Sequence, residues 1–139
     1  MSEIYYGFRL KCIVKPEFKP LIDSLFDYGS WKRVVFRKGF EAFPFITEFA
    51  KLDQCDDIPF ANVDNFPHWE KEHFTEGYEW GWSHRFMYQT MEWRFQTCTT
   101  EMGLIASFIM IILNRIVVDI SHCEIYKEND QPKFYLFRG

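Results

Sequence analysis

The segment from Leu104 to Leu113 constrains the fold most, because it is apolar on nearly every side. Thr99 or Thr100 offers an N-cap just before it, which predicts a helix of roughly 16 to 19 residues over Glu101–Val118. A membrane span needs about 20 predominantly apolar residues, whereas Asn114 interrupts this segment after about a dozen. We therefore expect a helix buried against a sheet and no membrane partner.

Alternating apolar and polar residues predict the strands of that sheet. From Ile4 to Val14 apolar side chains recur at every second position and basic ones share the other face, which is typical of a half-buried strand. The alternation returns over 82–97, but its parity slips near 89–90, which indicates a hairpin turn or a bulge. Residues 121–127 and 132–138 predict a C-terminal β-hairpin.

The remaining segments complete an α+β prediction of one domain covering residues 1–139. A helix is predicted after Pro16 and another over 41–52, while 31–36 fits either a short strand or a helix. The sheet is predicted to be mainly antiparallel, with the long apolar helix packed on one face. Because that helix is apolar all round, we expect a second element or a second protomer to cover its other side, which makes a homo-oligomer a prediction.

Composition excludes one class of partner and indicates a compartment. The net charge of −4 argues against binding duplex nucleic acid, which requires a basic footprint. Four cysteines form no CxxC pair, and the first eleven residues show no secretory signal. We therefore expect reduced thiols in a cytoplasmic protein.

Tryptophans concentrate at one place: four of the five fall between positions 69 and 93. Tryptophan fills cores, anchors interfaces or stacks on flat ligands. Arginines and a histidine lie next to these rings, and a second basic run adjoins Trp31, which favours a pocket for a nucleobase and its anionic groups. The alternative is that the rings complete an aromatic core. The candidate ligand-binding residues are Trp80, Trp82, His84, Arg85, Trp93, Arg94, Trp31, Lys32 and Arg33.

Metal binding and covalent catalysis find weaker support. His68 and His73 are five residues apart, whereas the zinc-binding helix motif requires a spacing of four, so we expect surface histidines and no metal or other cofactor. Cys98 is predicted at a helix N-terminus, which would make it the more reactive thiol. His122 and Cys123 are adjacent on a strand and face opposite ways. For both thiols a buried, inert side chain is the better interpretation, and no catalytic residue is predicted.

Several blocks of the chain resemble small uncharacterised proteins of bacteriophage and prophage genomes. The blocks are Gly7–Glu17, Phe43-Pro44-Phe45 followed by Ile58-Pro59-Phe60, Trp93–Cys98 and Cys123–Tyr126. The resemblance implies a phage-type accessory protein. Such proteins often antagonise host defence, either by sequestering a signal nucleotide or by binding a host protein.

These observations lead to three functional hypotheses. The first is a non-enzymatic binding protein that captures a small nucleotide-like ligand in an aromatic and basic pocket. The alternative is a protein–protein inhibitor or adaptor that binds a host protein through the acidic loop 53–79. A small enzyme that uses Cys98 or a histidine–glutamate pair is the third.

Overall fold

A computed structural model of the chain describes residues 4–36, 40, 42–61, 84–101, 103–127 and 133–134. The strands are β1 (Tyr6–Val14), β2 (Arg85–Met87), β3 (Glu92–Thr99), β4 (Val117–Lys127) and β5 (Lys133–Phe134). The helices are α1 (Lys19–Tyr28), α2 (Trp31–Val35), α3 (Pro44–Ala50), the short turn α4 (Asp57–Phe60), α5 (Leu104–Ser107) and α6 (Asn114–Ile116). A 3₁₀ turn, Pro16–Phe18, precedes α1, and a π-helical segment, Phe108–Leu113, joins α5 to α6.

The strands form one antiparallel sheet in the order β2-β3-β1-β4-β5, which confirms the α+β class. β1 lies at the centre, as expected for the most regular alternating segment. Its pairing with β4 is irregular after Lys11, which is opposite His122 while Cys12 is opposite Ile120, so Ser121 is an extra residue there. The predicted C-terminal hairpin is described only as a two-residue β5 paired with β4, since residues 128–132 and 135–139 lie outside the described residues.

The parity slip predicted near Gln89–Thr90 is a hairpin turn. β2 pairs with β3 from Arg85 opposite Arg94 to Met87 opposite Glu92, and the turn between them ends at Met91 with φ 61°. Because of this turn, an even-numbered residue of β2 and an odd-numbered residue of β3 face the core. Phe86 and Trp93 therefore lie opposite each other on the same face.

Helices α1, α2 and α3 and the π-helical segment pack on one face of the sheet, which we call the core face. Phe108 of the π-helical segment packs edge-on against Phe8 and Phe95 of the sheet and against Phe49 of α3. Aromatic side chains therefore occupy the volume that small aliphatic residues fill in other cores. The fully buried large hydrophobic side chains include Phe8, Leu10, Leu21, Ile22, Leu25, Trp31, Ile46, Phe49, Trp93, Phe95 and Phe108.

The apolar helix is shorter than predicted. Its pieces run from Leu104 to Ile116, and Val117 already begins β4 opposite Val14, so the predicted range Glu101–Val118 is wrong at both ends. β-branched residues fit a strand as well as a helix, and here the pairing with β1 makes Val117 part of a strand. The predicted cap is also wrong: Thr99 ends β3, and Gly103, with φ 91°, is the N-cap.

The other helices follow the sequence more closely. Trp31–Val35 is helical, with the Ser30 hydroxyl accepting a hydrogen bond from the Arg33 amide. α1 ends at Gly29, whose φ of 62° suits a glycine C-cap. Within the described ranges, no helix has the length and apolarity to cross a bilayer.

Candidate anion-binding face of the sheet

The sheet separates the rings from the cations that the sequence places side by side. His84 and Trp93 lie on the core face, whereas Arg85 and Arg94 alternate to the opposite face. We call it the open face because it lies opposite the helical layer, although Arg9 and Glu124 are buried on it. The single aromatic and basic pocket predicted from these four residues is therefore divided between two surfaces.

Four residues from four neighbouring strands form a line across the open face. Arg85 of β2 is opposite Arg94 of β3, Arg94 is opposite Lys11 of β1, and Lys11 is opposite His122 of β4. Direct cross-strand partners share a face, and neighbouring strands are about 4.8 Å apart. We call this line, Arg85–Arg94–Lys11–His122, the basic row.

The basic row is open at one end and buried at the other. Arg85 is exposed at the sheet edge, and the Arg94 side chain is 17% exposed. His122 is only 11% exposed, and its Nε2 lies 2.8 Å from Oε1 of the fully buried Glu124. Arg85, at the β2 edge, is therefore the most accessible member of the row.

A second polar line, Gln96–Arg9–Glu124, runs beside the buried end of the row. Arg9 is fully buried, and its Nε donates a 3.0 Å hydrogen bond to Oε1 of Gln96. Glu124 lies directly opposite Arg9 on β4. Burying an arginine and a carboxylate is costly, and Gln96 and His122 each supply one polar contact to this buried pair.

Both cross-strand neighbours of Arg94 are basic residues. Its cross-strand neighbours are Arg85 and Lys11, and Glu92 is the carboxylate next to it on β3, with an oxygen 4.0 Å from Arg94 Nη1. The buried Nε of Arg94 has no hydrogen-bond partner among the described residues. Like charges directly opposite one another destabilise a sheet, and a guanidinium N–H is a donor that suits an anionic oxygen.

His84 belongs to the aromatic core and not to the basic row. Its ring stacks on Phe26 at 3.9 Å between centroids, and its Nε2 accepts a 2.9 Å hydrogen bond from Trp93 Nε1. Burial lowers the pKa of His84 to about 4. At neutral pH this side chain is therefore an uncharged acceptor for Trp93, and it supplies no positive charge to a ligand.

The second predicted cluster lies in the helical layer. Trp31 is fully buried, packs edge-on against Phe49, and donates from Nε1 to the Ile58 carbonyl. Lys32 and Arg33 are exposed on the same short helix. Since α2 belongs to the layer on the core face, the structure does not bring these two cations together with the basic row.

Several other predictions fall outside the described residues, among them Trp80, Trp82, His68 and His73. The acidic loop 53–79 is described only up to residue 61. Where the structure can be searched, no group of three histidine, cysteine or acidic side chains is placed to hold a metal ion.

The four cysteines are buried and form no disulfide, and the prediction that Cys98 begins a helix is wrong. Cys98 lies in β3, and burial, with a smaller contribution from Asp57, raises its pKa to about 11. Burial likewise raises the pKa of Cys123 to about 12. Thiols protonated to this degree are poor nucleophiles at neutral pH, which agrees with the interpretation of Cys98 and Cys123 as buried, inert side chains.

Sequence reasoning missed the contributions of Lys11, Arg9 and Glu124 to this face. The alternation in β1 does place Arg9 and Lys11 together, but pairing with β3 and β4 is needed to show which residues adjoin them. Comparison of the chain with protein-family models, curated proteins and solved structures gives no match. The resemblance to phage proteins therefore stays a prediction.

Proposed function

We propose that this chain is a binding protein for a small anionic, nucleotide-like ligand that docks on the basic row. The observation that carries the proposal is that Arg85 and Arg94 are direct cross-strand partners and that the buried Nε of Arg94 has no hydrogen-bond partner among the described residues. Two guanidinium groups opposite each other destabilise a sheet, and an anionic ligand offsets that cost.

Arginine chemistry supports a phosphate as the anionic group. Each guanidinium offers a planar fork of donors that matches two phosphate oxygens, and two such forks adjoin at the accessible end of the row. Trp80 and Trp82 precede β2 in the chain, and we propose that they stack on the base. If the ligand is a host signal nucleotide, its capture would give the sequestering antagonist that the resemblance to phage proteins implies.

Isothermal titration calorimetry with a nucleotide panel tests this proposal. The double variant Arg85→Gln/Arg94→Gln should lower affinity at least tenfold, since each charge-assisted contact contributes about 1.5–3 kcal/mol. Lys32→Gln/Arg33→Gln removes the same charge from α2 and should leave affinity within about twofold. Both double variants are measured at about 0.15 M salt, which screens long-range electrostatic effects. Equal losses in the two double variants, or no binding of any nucleotide by the parent chain, would refute the proposal.

A further inference from the structure

We infer that the ligand presents a terminal phosphate with three unesterified oxygens, and that Arg94 binds two of these oxygens while Arg85 binds the third. The inference rests on the proposed function and narrows its ligand class to linear nucleotides that end in a phosphomonoester. Cyclic nucleotides and other phosphodiesters fall outside this class, because each phosphorus leaves only two unesterified oxygens.

The Arg94 guanidinium has one edge near a carboxylate and a second edge that can receive a ligand. Oε1 of Glu92 lies 4.0 Å from Nη1, the terminal nitrogen on the same side as Cδ. The other edge carries the parallel N–H groups of Nε and Nη2, and Nε has no hydrogen-bond partner among the described residues. An oxyanion can therefore bind this second edge while Glu92 keeps its place beside Nη1.

The unmet donor at Nε distinguishes Arg94 from an ordinary surface arginine. A buried N–H without an acceptor destabilises a fold, whereas an exposed one is satisfied by water. Since Nε is buried in this structure, an oxygen reaches it only after a small movement of the side chains around it. Arg85, directly opposite Arg94, is exposed at the edge of the sheet and can move without disturbing the core.

A parallel pair of N–H donors selects ligand groups that carry two oxygens on one atom. Carboxylates and phosphates both meet this requirement and bind arginine through two hydrogen bonds. They differ at the next position, because a carboxylate carbon has no further oxygen. The phosphorus of a terminal phosphate carries a third unesterified oxygen, and that oxygen needs a donor of its own.

Arg85 is placed to donate to the third oxygen. It lies directly opposite Arg94 on the same face, and residues paired in this way have β-carbons about 4.5–5.5 Å apart. Because Arg85 is exposed, its long side chain can fold over an anion that Arg94 holds. A terminal phosphate carries about 1.5–2 negative charges at neutral pH, so one such group compensates both guanidinium groups.

Matched phosphate ligands test the inference without any change to the protein. The ligands are the 5′-monophosphates of the four common nucleosides, the methyl ester of each 5′-phosphate and the 3′,5′-cyclic forms, all titrated by isothermal calorimetry. The methyl ester keeps two unesterified oxygens for Arg94 and removes the third. We expect the best-bound monophosphate to bind at least tenfold more tightly than its methyl ester and its cyclic form, since a charge-assisted hydrogen bond is lost.

Two variants assign the oxygens to the two arginines. Arg85→Gln removes the donor for the third oxygen, so it should weaken monophosphate binding at least tenfold and leave the methyl ester within about threefold. Arg94→Lys keeps the charge but lacks the parallel donor pair, so it should weaken both ligands about tenfold. Arg33→Gln and Arg33→Lys make the same changes on α2 and should leave both affinities within about twofold. Circular dichroism and thermal unfolding report whether each variant retains the fold.

The outcomes separate the inference from the proposed function. Equal affinities for the monophosphate and its methyl ester, or an equal loss of both in Arg85→Gln, overturn the inference while nucleotide binding stands. Parent affinities in folded Arg94→Lys overturn the assignment of two oxygens to Arg94. Absence of binding of every nucleotide by the parent chain overturns the proposed function as well. The comparison of ligands on the parent chain keeps the inference testable even where a variant fails to fold.

Discussion

The buried hydrogen bond between Trp93 and His84 makes acid stability a sharp test of the core-face geometry. The Trp93 indole donates to Nε2 of His84, which can accept only while that nitrogen is unprotonated. His84 also stacks on Phe26 and packs edge-on against Phe60 and Phe95, so protonation would place a charge among rings. We predict that acidification destabilises the fold through this residue.

The magnitude follows from the two pKa values. Burial lowers the His84 pKa from 6.5 to about 4, so the unfolded chain takes up the proton first as pH falls. The contribution of His84 to stability is constant above pH 6.5, decreases between pH 6.5 and pH 4, and is level below. A difference of about 2.5 pKa units corresponds to about 3 kcal/mol of unfolding free energy across that window.

Urea unfolding between pH 3.5 and pH 7.5, followed by circular dichroism, measures this loss. His84→Gln is the matched control because its amide oxygen can accept from Trp93 Nε1 and does not titrate. The difference in unfolding free energy between parent and variant should shrink by about 3 kcal/mol from pH 7 to pH 4. Parallel stability curves for the two proteins would show that His84 is solvated and that the described packing around it is wrong.

Other predictions address the core, the helix start, the thiols and the row. Trp31→Phe removes the indole donor to the buried Ile58 carbonyl and should cost about 1–3 kcal/mol by urea unfolding. Gly103→Ala should cost about 1 kcal/mol, because φ is 91° and a β-carbon there meets nothing within 4 Å, so the loss is conformational. The Cys98 thiol, with a pKa of about 11, should react with iodoacetamide at pH 8 far more slowly than the same thiol in urea. Arg94→Gln should raise the stability of the ligand-free protein by about 0.5 kcal/mol at low salt, and a loss instead would show that Arg94 is structural.

The sequence predicts a helix or strand correctly where several local signals, such as periodicity and a terminating residue, agree. In β1, alternation and the following Pro16 both indicate a strand that ends near Val14, and the structure has Tyr6–Val14. At the end of the apolar helix the signals conflict, because Val117 and Val118 are as apolar as Leu113 and Ile116 within the helix. Pairing with β1 makes these residues a strand, and that pairing cannot be read from the neighbouring residues in the sequence.

The candidate site was predictable only in fragments for the same reason. Arg85 and Arg94 were identified from their position beside the tryptophans, yet the structure places them on the face opposite Trp93. Lys11, which adjoins Arg94 in space, lies far from it in the chain. Parity within a strand can be read from the sequence, whereas the order β2-β3-β1-β4 that assembles the basic row depends on the whole fold.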